Sequence, residues 1–366
     1  MSFWSQTAAA PSFMQVMGWS DRSPRYLRPT PPVPPPGVLT LTDGRKAGIK
    51  RLFKEHCAAT AAFLEANYCG HDWRFAPPVA RWLDSYLCDM DVVALGLFVG
   101  DSELVGTIFA TPLSKGSVVM SHGASLPMMR VIEGLCVHPR LRGDGVAAFL
   151  IKHMDSFVAF QMGKCAYLFS RELPSVPYFN TALRCDTYGY RVCGSASDKR
   201  IAVNSMSWAE FERIWALYCW AWTSDRSPIE SGCLVATAPL NRRGHLAVYT
   251  KDRMLAVISN TERVGSTGGA IYEVVWCGVV GPGQALTPVP CVGAGTLDFQ
   301  QLLNGVAGSL PAGAVLFGSS SLEGGGVNPG WAGWTVGVSG VHAWYIYNYM
   351  PPVFGTCRIH AIRDEL

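Results

Sequence analysis

Residues 130–151 have the pattern of an apolar strand, a turn rich in glycine and arginine, and an amphipathic helix. This order places the first amides of the helix, which lack partners within it, directly after a flexible turn. Such a helix start attracts anions, so the segment predicts a phosphate-binding turn in an α/β fold. An ordinary strand-to-helix turn is the alternative for so short a glycine pattern. The residues predicted to surround the phosphates are Arg142, Gly143, Asp144, Gly145, Val146 and Ala147.

The turn is neither of two widespread nucleotide motifs. It lacks the Gly-Lys-Ser/Thr ending of Walker A and does not contain the dinucleotide pattern G-x-G-x-x-G. The spacing R-x-x-G-x-A from Arg142 to Ala147 instead resembles the acyl-CoA loop of the GNAT superfamily. That resemblance implies transfer of an acyl group from coenzyme A to an amine.

Composition limits the class of protein. The chain has 366 residues, 49% of them apolar, which is enough for two packed domains. A net charge of +3 without a basic stripe argues against nucleic acid as a partner. No apolar stretch reaches the roughly 20 residues of a transmembrane helix, and no leader is visible, so we expect a cytoplasmic protein, acting as a monomer. The 12 cysteines form no C-x-x-C pair, so we expect reduced thiols and no metal.

The first half of the chain predicts alternating helices and strands. Apolar spacing favours one or two helices over 45–67, after a proline-rich connector at 25–38. Two β-rich runs at 91–99 and 104–110 predict a hairpin, because Gly100-Asp101-Ser102-Glu103 lies between them. The remaining predicted elements are a strand at 131–137, a helix from Val146 to about Phe157, and a strand at 165–169.

A second half begins near Ser205. Ser207 and Glu210 form a capping-box pattern, which predicts the start of a helix that continues past Trp215. The strands predicted after this helix are 245–250, 254–260, 270–280 and 344–348, and residues 324–330 are predicted to form a glycine-rich loop. The domains expected are therefore an arm and connector at 1–44, a first half at 45–204 and a second half at 205–366.

Several separated motifs together resemble one family, the protein N-myristoyltransferases, or glycylpeptide N-tetradecanoyltransferases. Their order along the chain is the family's order. The similar segments are Phe3–Gln6 (F-W-x-T-Q), Leu64–Tyr68 (L-x-x-N-Y), Trp73–Phe75 (F-R-F), Leu104–Pro112 (L-V-G-x-I-x-A-x-P), Glu133–His138 (N-F-L-C-V-H) and Trp344–Tyr349 (Y-Y-L-Y-N-W).

The resemblance implies two pseudo-symmetric GNAT-like α/β halves with mixed sheets. It implies protein lipidation: transfer of myristoyl from myristoyl-CoA to the N-terminal glycine amine of a protein or peptide. The first half would bind acyl-CoA and the second the peptide. The implied oxyanion donors are the amides of Gly134 and Leu135, and the implied base is the terminal carboxylate of Leu366. The other implied contacts are Cys136 and Val137 with the pantetheine arm, Phe3 and Trp4 over the cofactor, and Tyr68, Asp72, Phe75 and Tyr178 with the peptide.

The chain also departs from the family pattern. The family loop reads R-S-K-R-V-A, so Gly143-Asp144-Gly145 removes two cations and adds an anion. Gly134 replaces a phenylalanine, and the tail is longer, which makes the side chain of Asp364 an alternative base. We interpret Cys136 as a packing residue and leave Glu133 open between orienting the amine and a surface role.

Two other functions stay open on these residues. One is a GNAT acetyltransferase that acts on a small amine or a lysine. The other is a catalytically inactive protein that binds acyl-CoA or a lipidated peptide, which the changed phosphate loop and longer tail suggest.

Overall fold

The computed structural model describes most of the chain between residues 25 and 360. The described ranges are 25–26, 36–69, 73–113, 118–120, 125–126, 129–163, 165–172, 184–186, 188–195, 197–224, 234–236, 241, 244–280, 286–288, 296–319, 331, 333–336, 342–347, 349–350 and 358–360.

The elements up to residue 206 are thirteen described strands and three described α-helices. The strands are β1 (Arg25–Tyr26), β2 (Val38–Thr40), β3 (Lys46–Arg51), β4 (Trp73–Phe75), β5 (Val93–Val99), β6 (Glu103–Pro112), β7 (Val118–Met120), β8 (Ser125–Leu126), β9 (Met129–Val137), β10 (Ala166–Glu172), β11 (Arg184–Asp186), β12 (Tyr188–Val192) and β13 (Asn204–Met206). The helices are α1 (Cys57–Asn67), α2 (Ala80–Cys88) and α3 (Val146–Met162), with 3-10 turns at Lys54–His56, Pro139–Leu141 and Asp198–Arg200.

The elements after residue 206 begin with a helix. The helices are α4 (Trp208–Ser224) and α5 (Thr296–Ser309). The strands are β14 (Leu234–Ala236), β15 (Leu246–Lys251), β16 (Met254–Gly265), β17 (Ala270–Val280), β18 (Leu286–Pro288), β19 (Val315–Ser319), β20 (Thr335–Val336), β21 (His342–Tyr347), β22 (Tyr349–Met350) and β23 (Arg358–His360).

The first large sheet has the order β11-β21-β10-β9-β6-β5-β3-β2 and is mixed, because β9 and β10 run parallel. Helix α3 covers one face, since Val146, Leu150, Met154 and Val158 recur every four residues and are buried. Helices α1 and α2 cover the other face, where α2 contributes buried side chains such as Leu83. A sheet covered on both faces explains why β5 and β6 are apolar almost throughout.

The second large sheet has the order β13-β15-β16-β17-β19-β12-β20 and is also mixed, with β17 and β19 parallel. Alternate residues of β16 point to opposite faces. Ala256 packs with helix α5, and Val257 packs with Phe211 and Trp215 of α4. This sheet therefore also lies between helices, and the predicted fold class of two mixed α/β halves is confirmed.

Each large sheet includes strands from both sides of the boundary expected between residues 204 and 205. Strand β21 pairs with β10 in the first sheet, while β4 pairs with β16, and β12 with β19, in the second. The domain limits stay a prediction, and the pairing shows that neither sheet is made from one stretch of chain. Two small sheets, β1-β22 and β23-β14-β7-β8, complete the described strands.

Most predicted elements are confirmed with shifted ends, and one is wrong. The 91–110 hairpin, the strand at 131–137, the helices from Val146 and from Trp208, and the later predicted strands are present. The predicted helix over 45–67 is wrong in its first part, because Lys46–Arg51 forms β3 and pairs with β5. Ile49 faces Leu97 there, so its apolar character serves a strand pair. The 324–330 loop lies outside the described residues.

Candidate active site

A β-bulge interrupts strand β9 at the residues predicted to bind an oxyanion. The pairs Thr107↔Cys136 and Phe109↔Glu133 leave two β9 residues, Gly134 and Leu135, opposite one β6 residue. Gly134 has φ +59°, in the left-handed region that favours glycine. The bulge thus interrupts the hydrogen-bond ladder between β6 and β9 at Gly134 and Leu135, the predicted oxyanion donors.

Packing also requires glycine at position 134. A Cβ added there would lie 2.1 Å from Cδ2 of Phe109, well inside van der Waals contact. The hydroxyl of Thr107 donates to the Gly134 carbonyl at 2.9 Å. Because a trans peptide holds its C=O and N–H in opposite directions, this bond turns the Leu135 N–H away from Thr107. Phe109 therefore occupies the space beside Gly134, where the family pattern has a phenylalanine.

In the part of the chain that the structure describes, the edge of β9 after the bulge pairs with no second strand. Strands β9 and β10 pair only from Met129↔Ala166 to Val131↔Leu168, after which β10 continues with β21. Within the described residues, β9 from Ile132 to Val137 pairs with β6 alone. Successive amides of a strand point to opposite edges, so some N–H and C=O groups of this stretch face the gap. An extended ligand could pair there as an added strand.

The predicted phosphate turn comes directly after this edge. After the 3-10 turn Pro139–Leu141, Gly143 and Gly145 have φ +105° and +79°, and the 17-residue helix α3 begins at Val146. A Cβ added at either glycine would meet nothing within 4 Å, so there is room over the turn. Arg142 is exposed, whereas the buried Val146 anchors the helix start in the core. These features fit a phosphate group held by amides and one cation.

Asp144 has a structural role in this turn. Its carboxylate accepts hydrogen bonds from the Thr42 hydroxyl at 2.9 Å and the Thr42 amide at 3.3 Å. Thr42 belongs to the turn between β2 and β3, so Asp144 ties the two turns together. The added anion is thereby directed towards Thr42.

Cys136 is 3% exposed and packs among the side chains beneath α1 and α2. Burial raises the pKa of its thiol to about 12, against a smaller opposing effect of Arg142. The thiol is neutral at about pH 7, and a neutral thiol is a poor nucleophile. This geometry fits the interpretation of Cys136 as a packing residue.

Glu133 lies one residue before the bulge and is half-buried. Its Oε1 accepts hydrogen bonds from the hydroxyls of Tyr86 on α2 and Thr111 on β6. The ring of Tyr86 contacts Phe109 edge-on with centroids 5.8 Å apart. Glu133 is therefore held beside Gly134 by a connected set of side chains, rather than free on the surface.

Aromatic residues predicted to contact a peptide form a cluster where the sheets meet. Tyr68 stacks on Phe75 with centroids 5.1 Å apart, and the Arg263 guanidinium lies 4.3 Å from the Trp73 ring centre. Strand β4 pairs with β16 at this point. Of the two predicted contacts described here, Phe75 is fully buried and Tyr68 is half-buried, so Tyr68 is the one that offers side-chain surface.

Several predicted residues lie outside the described part of the chain: Phe3, Trp4, Asp72, Tyr178, Asp364 and Leu366. Within the described ranges, no cluster of metal-ligating side chains is present and no helix is long and apolar enough to span a membrane.

The sequence did not identify the side chains that support the bulge. Thr107, Phe109 and Thr111 share one face of β6 because they alternate, and all three meet β9 at Glu133 or Gly134. Two threonines in an otherwise apolar buried strand were the available signal. Tyr86 and Thr42 come from distant elements, and no local pattern marks them.

The sequence matches no protein-family model and no curated protein. Structure comparison instead finds crystal structures of the Saccharomyces cerevisiae N-myristoyltransferase with bound myristoyl-CoA. One has a TM-score of 0.58 at 12% sequence identity, and the match covers 95% of this chain and 92% of the yeast chain. A second structure, which also contains inhibitors, has a TM-score of 0.61 at 14% identity, and the match covers 100% of this chain and 91% of that one. A third has a TM-score of 0.59 at 13% identity, and the match covers 95% of this chain and 88% of that one. Over nearly its whole length, this chain therefore has the fold of an N-myristoyltransferase.

Proposed function

We propose that this protein transfers a myristoyl group from myristoyl-CoA to the N-terminal glycine amine of other proteins, and so lipidates them. One observation carries the proposal. A bulge held by Thr107, an open strand edge and a glycine-rich helix start succeed one another between Gly134 and Val146. That order matches the parts of an acyl-CoA thioester: the reacting carbonyl, the amide-containing arm and the phosphates.

The cofactor would lie along β9 as an additional strand. Val137 would pair with an amide of the pantetheine arm in place of the Arg142 Nε that donates to its carbonyl at 3.4 Å, and Cys136 would contact the arm beside it. Phosphates would then meet the turn from Arg142 to Ala147, where unpaired helix amides and one guanidinium favour negative charge. Phe3 and Trp4 are proposed to cover the bound cofactor.

Acyl transfer requires stabilisation of an oxyanion. When an amine attacks the thioester carbonyl, the oxygen gains charge that preorganised amides can bind. The proposed donors are the N–H groups of Gly134 and Leu135, and one such donor contributes about 3–4 kcal/mol in known oxyanion holes. The Thr107 hydrogen bond fixes the peptide plane that carries the Leu135 donor, so little reorganisation is needed.

The peptide would approach from the α1 and α2 face, opposite the face that α3 covers. Tyr68, Asp72, Phe75 and Tyr178 are the proposed peptide contacts, with Phe75 acting through the packing of Tyr68. In the family that this chain resembles, the proton acceptor is the terminal carboxylate, which corresponds here to Leu366, with Asp364 as alternative. We further propose that the protein acts as a cytoplasmic monomer.

The test is a product assay with the whole chain. Purified protein is incubated with acyl-CoAs from acetyl to palmitoyl and a peptide beginning with glycine, and adducts are identified by mass spectrometry. The same peptide with an acetylated N-terminus is the control. We expect a myristoyl adduct on the free glycine amine alone.

Other outcomes assign other functions. An acetyl adduct formed on lysine without regard to glycine would replace the proposal with a GNAT acetyltransferase. Acyl-CoA binding without product at any chain length would replace it with a binding protein.

A further inference from the structure

The structure assigns to Glu133 the role of proton acceptor for the attacking amine. This inference rests on the proposed function and gives a described residue the role that the resemblance gives to the terminal carboxylate. A glycine amine with a pKa of about 8 is mostly protonated at about pH 7, and a carboxylate placed at the reacting carbonyl can accept that proton.

Position is the first argument. Glu133 immediately precedes Gly134, so its carboxylate is attached to the same bulge that would bind the oxyanion. Its partner Thr111 shares a face of β6 with Thr107 and Phe109. Phe109 packs in the cluster under α1 and α2, so the carboxylate lies on that face. The phosphate turn leads into α3, which covers the opposite face. Acyl-CoA and the peptide would therefore approach from opposite sides.

Orientation is the second argument. Two hydroxyls, from Tyr86 and Thr111, donate to the same oxygen, Oε1. An ionised carboxylate accepts on both oxygens and needs no donor of its own, so this arrangement suits the charged form. Tyr86 and Thr111 therefore hold the side chain in one rotamer, as a base near a reacting atom requires. Both are positioning residues.

Protons and electrons balance in the transfer step. The ammonium gives one proton to Glu133, and the amine lone pair forms the N–C bond at the thioester carbonyl. Collapse of the tetrahedral oxyanion breaks the C–S bond, and the thiolate leaves with the electron pair. The thiolate takes the second amine proton to give free coenzyme A, and Glu133 releases its proton to water.

The test is the pH dependence of kcat/KM for a glycine peptide. With a working base, wild type keeps a plateau between about pH 6 and 8, because the bound ammonium can be deprotonated. Glu133→Gln loses the plateau, and its rate rises about tenfold per pH unit towards the pKa of the free amine. At about pH 7 we expect a 100- to 1,000-fold loss. Glu103→Gln, the same change at an exposed position of the same sheet, keeps the wild-type profile.

Further variants separate catalysis from packing. Thr111→Val retains the carboxylate and is expected to retain the plateau. Removal of residues 364–366 is also expected to retain it, whereas loss of the plateau on truncation would return the role to the tail. If Glu133→Gln does not fold, Glu133→Asp is measured instead. Its shorter side chain moves the carboxylate away from the amine, so we expect a lower rate and a pH profile that keeps the plateau.

The outcomes distinguish the two claims. Wild type that acylates no glycine peptide overturns the proposed function and this inference with it. If wild type is active but its pH profile of kcat/KM runs parallel to that of Glu133→Gln, the role of Glu133 is overturned and the proposed function is kept. A wild-type rate in Glu133→Asp would have the same consequence.

Discussion

The two halves contain the same strand–helix–strand unit. They differ in what lies between its two parallel strands after the pairing of those strands ends. In the first half, β9, α3 and β10 form a parallel pair whose strands separate after Val131↔Leu168. In the second, β17, α5 and β19 form a parallel pair that ends at Val274↔Gly318. Both units carry a bulge, since Val257↔Trp276 and Ile258↔Val274 skip one residue of β17.

The difference lies in the chain beyond the point of separation. In the second half, β18 pairs with β17 from Gly278 to Val280, on the edge opposite β16. The chain fills its own gap there. In the first half, the described residues leave β9 open after the bulge, and a glycine turn leads directly into a helix. Among the described residues, the same topology thus leaves one open edge rather than two, and the open edge is the one proposed for acyl-CoA.

The largest expected effect comes from matched clashes in the two halves. Gly134→Ala places a Cβ 2.1 Å from Phe109 at a left-handed position, and Gly278→Ala places one 2.1 Å from Trp276. We expect Gly134→Ala to reduce kcat/KM by about a thousandfold, because the oxyanion donors shift. Both variants lose about 1–3 kcal/mol of unfolding free energy.

The measurement is kcat/KM per folded molecule beside the thermal midpoint. Gly278→Ala should lose stability and keep its rate. Equal loss of rate in both variants would contradict the assignment of chemistry to the first half.

A tenfold effect is expected on cofactor affinity. Gly145 and Gly313 have nearly the same φ, +79° and +80°, and both have open space beside them. Alanine at either position costs about 1 kcal/mol in strain. Only Gly145→Ala adds a methyl group where phosphates are proposed to approach, so the Kd for myristoyl-CoA should rise about tenfold. Calorimetric titration checks this, and an equal rise in Gly313→Ala would count against the site.

A smaller effect is expected from the charge of Asp144. Asp144→Asn keeps an oxygen that can accept from Thr42 and removes a negative charge beside the phosphate turn. We expect the Kd for myristoyl-CoA to fall about two- to fivefold at low ionic strength, and the gain to shrink with added salt. Weaker binding would mean that the link to Thr42 outweighs the charge.

The smallest effect is expected from the buried thiols. Burial raises the pKa of Cys136 to about 12 and that of Cys277 in the second half still higher. Raised values keep both thiols neutral at about pH 8, and thiolate forms only as the pH approaches the raised value. Iodoacetamide should therefore modify exposed Cys88 in the native protein and spare both. Cys136→Ala and Cys277→Ala should each keep turnover within about twofold, whereas loss in Cys136→Ala alone would indicate covalent catalysis.

Local patterns predicted much of the first half. The strand, turn and helix around Gly145 are signalled by glycine and apolar spacing over adjacent residues, and the hairpin by Gly100. The helix predicted from residue 45 failed because Ile49 is paired across the sheet with Leu97. Only a partner about fifty residues away decides that a short apolar run is a strand.

The supporting residues of the site could not be predicted in the same way. Thr42 meets Asp144, and Tyr86 meets Glu133, through contacts between distant parts of the chain. The filling of the second gap by β18 likewise depends on pairing between strands, since Leu286–Pro288 has no distinctive pattern. Sequence therefore located the backbone of the candidate site, whereas the structure provided its side-chain support.

Amide hydrogen exchange with and without myristoyl-CoA compares the two halves in one experiment. We expect new protection between residues 134 and 147, on the β9 edge and at the start of α3, with β17 and β18 unchanged. Protection at β17 and β18 instead, or none at β9 under saturating myristoyl-CoA, would overturn the placement of the cofactor along β9.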